Sequence, residues 1–421
     1  MVRIKPFRGI RPREDLAAKV SALPYDVMNR REAAAMAAGN QSSILRITRA
    51  EVDFPPEVGD YDDRVYERGK ENLRSFLQDG ILKKEEKPVF YIYREIMNGK
   101  SQTGIVATFV TEDYENNTIL KHELTRKEKE TDRIRHFDAC DCQTEPVFLT
   151  YRHQDDIDQL VAAWIAAHDS VYDFVSDDKV AHMLWLIDDE TMIESLKEAF
   201  GKIDKAYIAD GHHRTASAVA VGKMRQGQGT PKGKDSPAQH FMAGIFPDQD
   251  LVIMEYNRVV EVGADFEASA FLKVLAAKFS VEKMDGDFLP AKKHEFGVYT
   301  GGSWYRLIAK PELYQNEDIA ENLDAAILQK NVLGPLLAVG DPRTDQKIDF
   351  IGGIRGNQEI VRRCEEGKSI GFNLYPVEIA DLMSIADHGK IMPPKSTWFE
   401  PKLRSGLFLH SLEEDKESKE K

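Results

Sequence analysis

The sequence predicts a mixed α/β protein, and three features of the chain support that class. Short apolar runs suited to strands alternate with longer runs of helix-forming residues. Asn98-Gly99 lies between two apolar runs, residues 88–94 and 104–110, a pattern typical of a β-hairpin. Residues 206–210 form a strand-like run that passes through Gly211 into an Ala-rich helical run. We therefore expect a mixed sheet with additional flanking α/β segments.

The composition bounds the domain count and the classes of partner. A chain of 421 residues with 42% hydrophobic and 30% charged residues is long enough for two or three domains with their own cores. The formal net charge of -14 disfavours binding to nucleic acid or to an anionic membrane. Three cysteines cannot form a disulfide framework, and no apolar stretch reaches the roughly 20 residues of a membrane span. The predicted location is the cytoplasm.

The first segment, residues 1–80, is predicted to be an N-terminal α/β segment. Residues 30–38 are rich in helix formers and stop at Gly39, and residues 62–77 place their apolar side chains near one face before Asp79-Gly80. Between these helices, residues 43–48 alternate in the manner of a strand.

The second segment, residues 81–260, is predicted to be the α/β core. It opens with the Asn98-Gly99 hairpin, continues with a charged helix over residues 123–137 and leads to the strand that ends at Asp210. Residues 227–236, rich in Gly, Pro, Lys and Ser, are predicted to be a loop that could act as a mobile flap. Residues 261–410 are expected to form a C-terminal α/β segment that contributes to the site, and residues 411–421 a frayed, charged tail.

The turn at residues 210–214, Asp-Gly-His-His-Arg, is the strongest candidate site. It lies where a strand enters a helix, so the free N–H groups and the positive end of the helix dipole meet two imidazoles and a guanidinium. These groups suit a phosphate or a carboxylate. The alternative is structural, with Asp210 capping the helix and His212 or His213 packed against a strand.

Residues 121–136 form the second candidate. On the predicted helix, Glu123, Arg126 and Glu130 share a face. A carboxylate at the opening of the helix can accept a proton or hold Mg²⁺ while His122 and Arg126 face an anion. The alternative is a solvated helix with ion pairs along its surface.

A third candidate follows Pro393-Pro394 near the end of the chain. A lysine followed by two hydroxyl groups, Lys395-Ser396-Thr397, suits a phosphate, although an ordinary ordered loop fits equally well. Asp26 lies in a similar segment and serves either a site or a structural turn. The chain contains no Gly-x-Ser-x-Gly elbow, no Gly-x-Gly-x-x-Gly after a strand, no Cys-x-x-Cys pair and no convincing helix-turn-helix.

The turn at residues 210–214 resembles the phosphate-binding Gly-(Glu/His)-(His/Arg)-Arg motif of the ParB/sulfiredoxin superfamily. Over nearly its full length the chain is similar to the bacterial family called domain of unknown function 1015, whose relatives include free-serine kinases. The segments that carry this resemblance are residues 24–27, 122–123, 132–133, 209–214, 257–260 and 392–406. The resemblance implies a ParB/sulfiredoxin-like core and a nucleotide-dependent phosphotransferase that converts free L-serine to O-phosphoserine.

The resemblance also implies roles for the candidate residues. Gly211, His212, His213, Arg214 and Thr215, together with Lys395, Ser396 and Thr397, would bind the nucleotide phosphates of ATP or ADP, with Mg²⁺ as a cofactor and metal ligands that stay unassigned. Catalysis would use Glu123, Asp210 and His213. Glu14, Asp26 and Glu123 all compete as the base for the serine hydroxyl, and Glu123 ranks first because its segment also supplies Arg126 and Arg133. Substrate contacts are expected from His122, Arg126, Arg133 and Asp26.

Two functions therefore stay open on the sequence. The first is a kinase acting on free serine or a similar small hydroxy amino acid. The second is a nucleotide-binding switch, as in ParB-like proteins, without small-molecule kinase activity. The acidic composition disfavours a nucleic-acid partner in either case, and the oligomeric state and the choice between ATP and ADP stay open.

Overall fold

The computed structural model of the protein describes residues 1–227 and 236–414. Its strands, in chain order, are β1 (Ile4–Lys5), β2 (Ile10–Pro12), β3 (Leu82–Lys84), β4 (Phe90–Met97), β5 (Lys100–Val110), β6 (Ile119–Leu120), β7 (Cys142–Gln143), β8 (Val147–Tyr151), β9 (Tyr172–Val175), β10 (Ala181–Ile187), β11 (Ala206–Asp210), β12 (His240–Pro247), β13 (Val252–Met254), β14 (Tyr256–Glu261), β15 (Phe279–Lys283), β16 (Glu295–Thr300), β17 (Ser303–Ala309), β18 (Ile348–Gly352), β19 (Ser369–Leu374), β20 (Trp398–Glu400) and β21 (His410–Ser411).

Its α-helices are α1 (Ala17–Val20), α2 (Arg30–Ala37), α3 (Leu45–Thr48), α4 (Asp63–Gln78), α5 (Thr111–Glu115), α6 (Lys127–Cys140), α7 (Asp155–Ala167), α8 (Glu190–Phe200), α9 (His212–Gly227), α10 (Ala268–Leu275), α11 (Asp324–Leu328), α12 (Gly334–Leu337), α13 (Gly356–Gly367) and α14 (Ile379–Asp387). Short 3-10 turns lie between them, including Tyr25–Val27 and Ile319–Asn322, and a π-helical turn, Gln329–Leu333, links α11 to α12. None of the helices among the described residues is long and apolar enough to cross a bilayer.

The chain folds into two compact units. The first contains Met1–Lys121, Thr125–Leu251 and the stretch that begins at Pro401, and the second contains His122–Leu124 and Val252–Glu400. The first unit is therefore assembled from both ends of the chain, with the second unit inserted between Leu251 and Pro401.

The first unit is built on a mixed sheet with the strand order β6-β11-β8-β12-β5-β4-β10-β9, and β1 also pairs with β5. Strand β8 runs parallel to β12 and antiparallel to β11, which confirms the predicted mixed α/β class. The predicted hairpin at Asn98-Gly99 joins β4 to β5, and both turn residues have positive φ, 52° and 76°. Two successive positive φ values suit the twist of a two-residue hairpin. Apolar side chains of the sheet and of the helices packed on it form one buried core.

Two of the predicted elements differ in the structure. Residues 43–48, predicted as a strand, contain the helix α3, because Ile44, Leu45 and Ile47 are all buried and their spacing also fits a helical face. The charged helix predicted from Glu123 begins instead at Lys127 in α6. Ahead of it, Arg126 is extended, and the carbonyl of His122 accepts a hydrogen bond from Met392 N at 2.8 Å, so Glu123 does not share a helical face with Glu130.

The second unit contains an antiparallel sheet with the strand order β15-β17-β16-β19-β14-β18, and the ribbon β13-β20. The sheet packs its apolar side chains against α10, α11 and the π-helical turn. Apart from Gly227 and Ser236, the predicted flap at residues 227–236 lies outside the described residues, as does the predicted tail from Asp415 onward.

Candidate functional site

The site of the first unit is built around the turn from β11 to α9. Gly211 has a φ of +93°, and its N–H donates to Asp210 Oδ1 at 2.8 Å. The positive φ favours glycine here, and a Cβ at this position would lie 3.1 Å from the Arg214 guanidinium carbon, so a larger residue would also displace that side chain by a few tenths of an ångström. The N–H and the hydroxyl of Thr215 both donate to Gly211 O, at 2.9 and 3.1 Å, and this fixes the first turn of the helix.

Helices α6 and α9 lie side by side and run in the same direction. Near their starts, Ser217 Oγ donates to Glu130 O at 3.0 Å, and near their ends Arg225 binds Asp138 at 3.1 Å and also Asp141. The N-termini of the two helices therefore lie at the same end of the pair. The positive ends of two helix dipoles and the N–H groups of two first turns point to one region, which favours an anion there.

Two buried arginines lie close to these helix starts. Arg214 lies in the first turn of α9 and donates through Nη1 to Pro146 O. Arg133 of α6 binds Asp132 Oδ2 through Nε and Nη2, both at 2.9 Å, and its guanidinium lies 4.0 Å from the centre of the Tyr25 ring. Both guanidinium groups are thus fixed within the protein and act on the site through their charge.

A buried glutamate joins this cluster. Glu145 Oε1 accepts hydrogen bonds from Tyr25 N at 2.9 Å and from Ser405 Oγ at 2.7 Å, and Oε2 lies 3.7 Å from Arg133 Nη1. Burial raises the pKa of Glu145, although the charges of Arg214 and Arg133 act in the opposite direction. Burial also raises the pKa of the Tyr25 hydroxyl, which has no hydrogen-bond partner within the described part of the chain.

Asp210 forms an ion pair with Lys402, which is only 6% exposed. Lys402 Nζ donates to Asp210 Oδ2 at 2.9 Å, and Arg214 Nη2 lies 4.0 Å from the same oxygen. Burial acts to raise the pKa of Asp210, but the charges of Lys402 and Arg214 outweigh it and hold this pKa below its usual range. Asp210 is therefore an ionised carboxylate at neutral pH.

Asp26 adds an exposed carboxylate to the cluster. It follows Tyr25 in the 3-10 turn Tyr25–Val27, and its charge raises the pKa of Arg214 and of Glu145. No hydrogen bond to its carboxylate is present among the described residues. A carboxylate that is exposed yet acts on a buried guanidinium is available to a ligand.

The structure thus groups several of the predicted residues in the first unit: Asp26, Arg133, Asp210, Gly211, His212, His213, Arg214 and Thr215. His212 is buried and His213 is half-buried, and Arg126 precedes the first residue of α6. Glu14, the remaining candidate base, is exposed in a 3-10 turn of the same unit.

The remaining candidates belong to the second unit. His122 is buried there and Glu123 is half-buried. Lys395 has a φ of +58° and holds its ammonium 5.4 Å from the centre of the Tyr256 ring, and Ser396 Oγ donates to Pro393 O at 2.6 Å. Thr397, which follows, is half-buried. The segment is thus an ordered turn whose serine hydroxyl bonds to its own loop.

Sequence reasoning did not single out Lys402, Glu145 or Ser405. Lys402 is 192 positions from its partner Asp210, and Ser405 is 260 positions from Glu145, so no local pattern links them. The family resemblance could have pointed to Lys402 and Ser405, because both residues lie within the segment 392–406 that carries it.

The fold and the cluster define a mixed α/β protein with a polar strand-turn-helix site over buried arginines. Residues 4–326 match the model of the family described as Protein of unknown function (DUF1015), and the chain belongs to this family. No curated protein matches the chain.

Solved structures that match the chain have low sequence identity to it. They include SbnI with a C-terminal truncation from Staphylococcus aureus, with 10% identity and a TM-score of 0.39 over 74% of this chain and 90% of that chain. A conserved hypothetical protein from Pyrococcus furiosus has 12% identity and a TM-score of 0.35, and the match covers 72% of this chain and 94% of that chain. A mutant free serine kinase in complex with ADP has 12% identity and a TM-score of 0.36, and the match covers 72% of this chain and 92% of that chain.

Proposed function

We propose that the protein is a nucleotide-dependent phosphotransferase that phosphorylates a small hydroxy amino acid, with free L-serine as the first candidate. The observation that carries this proposal is the parallel pair α6 and α9, whose N-termini lie together beside the turn after β11. Two helix starts offer N–H groups and positive potential to phosphate oxygens. The family resemblance on residues 209–214 supports the same assignment.

In this proposal the backbone of residues 211–215 and the side chains of His212 and His213 hold the phosphate that is transferred. Arg133 and Arg214 stabilise its charge from their buried positions, and Lys402 does so from its place against Asp210. Lys395, Ser396 and Thr397 stay candidates for further nucleotide contacts. Phosphoryl transfer depends chiefly on positioning and on the neutralisation of charge, which these groups would supply.

The reaction needs a base for the serine hydroxyl. The hydroxyl oxygen forms the new bond to phosphorus, the bond between phosphorus and the leaving oxygen of the nucleotide breaks, and the proton passes to a carboxylate. Asp26 suits this role because it is exposed and its charge acts on Arg214, and Glu123 stays the alternative. The leaving nucleotide would be ADP from ATP, or AMP from ADP.

Mg²⁺ fits the residues of the first unit. It binds to oxygen ligands and is held through one or two carboxylates together with substrate phosphates. Asp26 offers such a carboxylate, whereas both oxygens of Asp210 are already hydrogen-bonded to Gly211 and Lys402. When bound, the ion would neutralise charge on the phosphate oxygens.

Phosphorus NMR of the purified protein tests the proposal, with Mg²⁺ and either ATP or ADP, each with and without L-serine. A phosphoserine signal that depends on serine is the expected result and identifies the phosphate donor. Nucleotide binding without this signal, over a panel of small hydroxy amino acids, would overturn the kinase and favour the nucleotide-binding switch.

A matched pair of variants tests the base. Asp26→Asn should lower kcat by about 100-fold or more, in the range of general base catalysis, with little change in stability because the side chain is exposed. Asp204→Asn removes another exposed carboxylate of the same unit and should leave the rate unchanged. Equal rates for the two variants would remove Asp26 from the proposed role.

A further inference from the structure

The second unit contains a cavity that the proposed phosphotransferase does not use. Its volume is about 340 Å³, within the range of roughly 300–1,000 Å³ that is typical of small-molecule sites. Its wall is formed by residues just before β16, by the turn Ile319–Asn322 with the start of α11, and by α14 with the residues that precede it. The wall is therefore assembled from segments far apart in the chain.

A histidine and an aspartate form a fixed pair in this wall. The backbone N–H and the ring Nδ1 of His294 both lie within hydrogen-bonding distance of Asp324 Oδ1, at 2.9 and 3.2 Å. The imidazole also stacks on Tyr314, with ring centres 3.8 Å apart and an angle of 6° between the planes. His294 has a φ of +70°, a left-handed conformation that is strained for a residue other than glycine and is common in ligand sites.

This arrangement leaves two acceptor atoms for a ligand. In the tautomer whose Nδ1 donates to the carboxylate, Nε2 carries a lone pair that can accept a hydrogen bond. Neither Nε2 of His294 nor Oδ2 of Asp324 has a hydrogen-bond partner among residues 1–227 and 236–414. The side chain of His294 is 25% exposed, so its ring remains accessible.

The charges around the cavity favour a cation. Lys293 lies 2.8 Å from both Glu378 and Asp381, so its charge is already balanced by two carboxylates, and Asp324 adds a third. Burial raises the pKa of Asp324, although its hydrogen bonds to His294 and the charge of Lys293 act against this shift.

The composition of the wall favours an organic cation over a metal ion. Within the described parts of the chain, His294 and Asp324 do not belong to any cluster of three or more metal-ligating side chains. Much of the remaining wall is apolar, formed by Ile319, Leu323 and Ile385 among others. Such a wall suits a short hydrocarbon group.

We propose that this cavity is a binding site for a small organic ammonium compound, with the ammonium donating to Asp324 and His294 and its hydrocarbon part against the apolar wall. Tyr375 and Ser384 also line the cavity, and their hydroxyl groups would bind further polar atoms of the ligand. The site does not depend on the proposed phosphotransferase activity, because all of its residues belong to the second unit.

The test uses three probes with the same carbon chain: hexylammonium, 1-hexanol and hexanoate. Isothermal titration of the full-length protein should show that hexylammonium binds at least tenfold more tightly than hexanol, and that hexanoate does not bind. Equal binding of the ammonium and the carboxylate, or no binding of the ammonium, would overturn the proposal and leave the pair a structural anchor.

Two variants locate the binding site. Asp324→Asn keeps the shape of the side chain but removes its charge, and it should weaken hexylammonium binding at least tenfold. Glu317→Gln changes an exposed carboxylate that does not line the cavity and should leave the affinity unchanged. If Asp324→Asn does not fold, as judged by circular dichroism, Ile385→Trp fills the cavity from α14 and should abolish binding; retained affinity in a folded variant of either kind would refute the site.

Discussion

The ion pair between Lys402 and Asp210 should respond asymmetrically to the loss of either partner. Asp210→Asn leaves a lysine that is 6% exposed, whereas Lys402→Met leaves a carboxylate that is 27% exposed. Removing one partner of a buried ion pair destabilises a protein by about 3–5 kcal/mol, so Asp210→Asn should lower the free energy of unfolding by an amount in that range.

The cost of Lys402→Met should be smaller, about 1–2 kcal/mol, because water reaches Asp210 and two of its interactions remain. The Gly211 N–H still donates to Oδ1 at 2.8 Å, and the Arg214 guanidinium still lies 4.0 Å from Oδ2. The double variant removes both charges and should therefore be more stable than Asp210→Asn alone.

Urea unfolding of the four proteins, followed by circular dichroism and tryptophan fluorescence, measures these free energies and the coupling in a double-mutant cycle. The coupling should amount to about 1–3 kcal/mol. The reasoning is refuted if Lys402→Met destabilises the protein more than Asp210→Asn does, or if the two changes are additive.

Three further predictions concern the first turn of α9, the buried histidine His182 and the thiols. Gly211→Ala should destabilise the protein by about 1–3 kcal/mol in thermal or urea unfolding, and by more than Gly39→Ala, because both positions have positive φ but only Gly211 has the Arg214 side chain in the way. Burial, with a smaller effect of the Arg404 charge, lowers the pKa of His182 from 6.5 to about 3. Below pH 6.5 the unfolded chain therefore binds a proton that the folded chain excludes, so the contribution of His182 to the free energy of unfolding is full above pH 6.5 and falls as the pH drops towards 3. His182→Gln should flatten this pH dependence. An unchanged slope would show that His182 is not its source. The thiols of Cys140, Cys142 and Cys364 are buried, and burial raises their pKa values, to about 12 for Cys140 and Cys364. A disulfide reagent should therefore modify these thiols rapidly only after the protein unfolds. Rapid modification of the native protein would contradict this prediction.

Local features of the chain could be predicted from the sequence, because neighbouring residues determine them. The hairpin at Asn98-Gly99 needs two residues that tolerate positive φ, and Asn and Gly are the residues that do so most readily. Gly211 likewise permits the turn that precedes α9.

Features that depend on distant contacts could not be predicted. The short run at residues 43–48 fits a strand and a helix equally well, and the burial of Ile44, Leu45 and Ile47 in one cluster decides for the helix. The chain before α6 is not helical: Arg126 is extended, and His122 O accepts a hydrogen bond from Met392 N, 270 residues along the chain, which no helical pattern records. Lys402 reaches Asp210 only because the chain returns to the first unit at Pro401.

The charges of the cluster in the first unit indicate how it would distinguish a phosphate from other anions. Arg133, Arg214 and Lys402 are opposed by the carboxyl groups of Asp132, Glu145 and Asp210 and by the exposed Asp26, so the side chains alone contribute no excess positive charge. The excess comes from the N-termini of α6 and α9, where the attraction depends on the direction of the N–H groups. An anion would therefore be selected by the fit of its oxygens to these groups, and this selection would let a protein with a net charge of -14 bind a phosphate group without attracting polyanions in general.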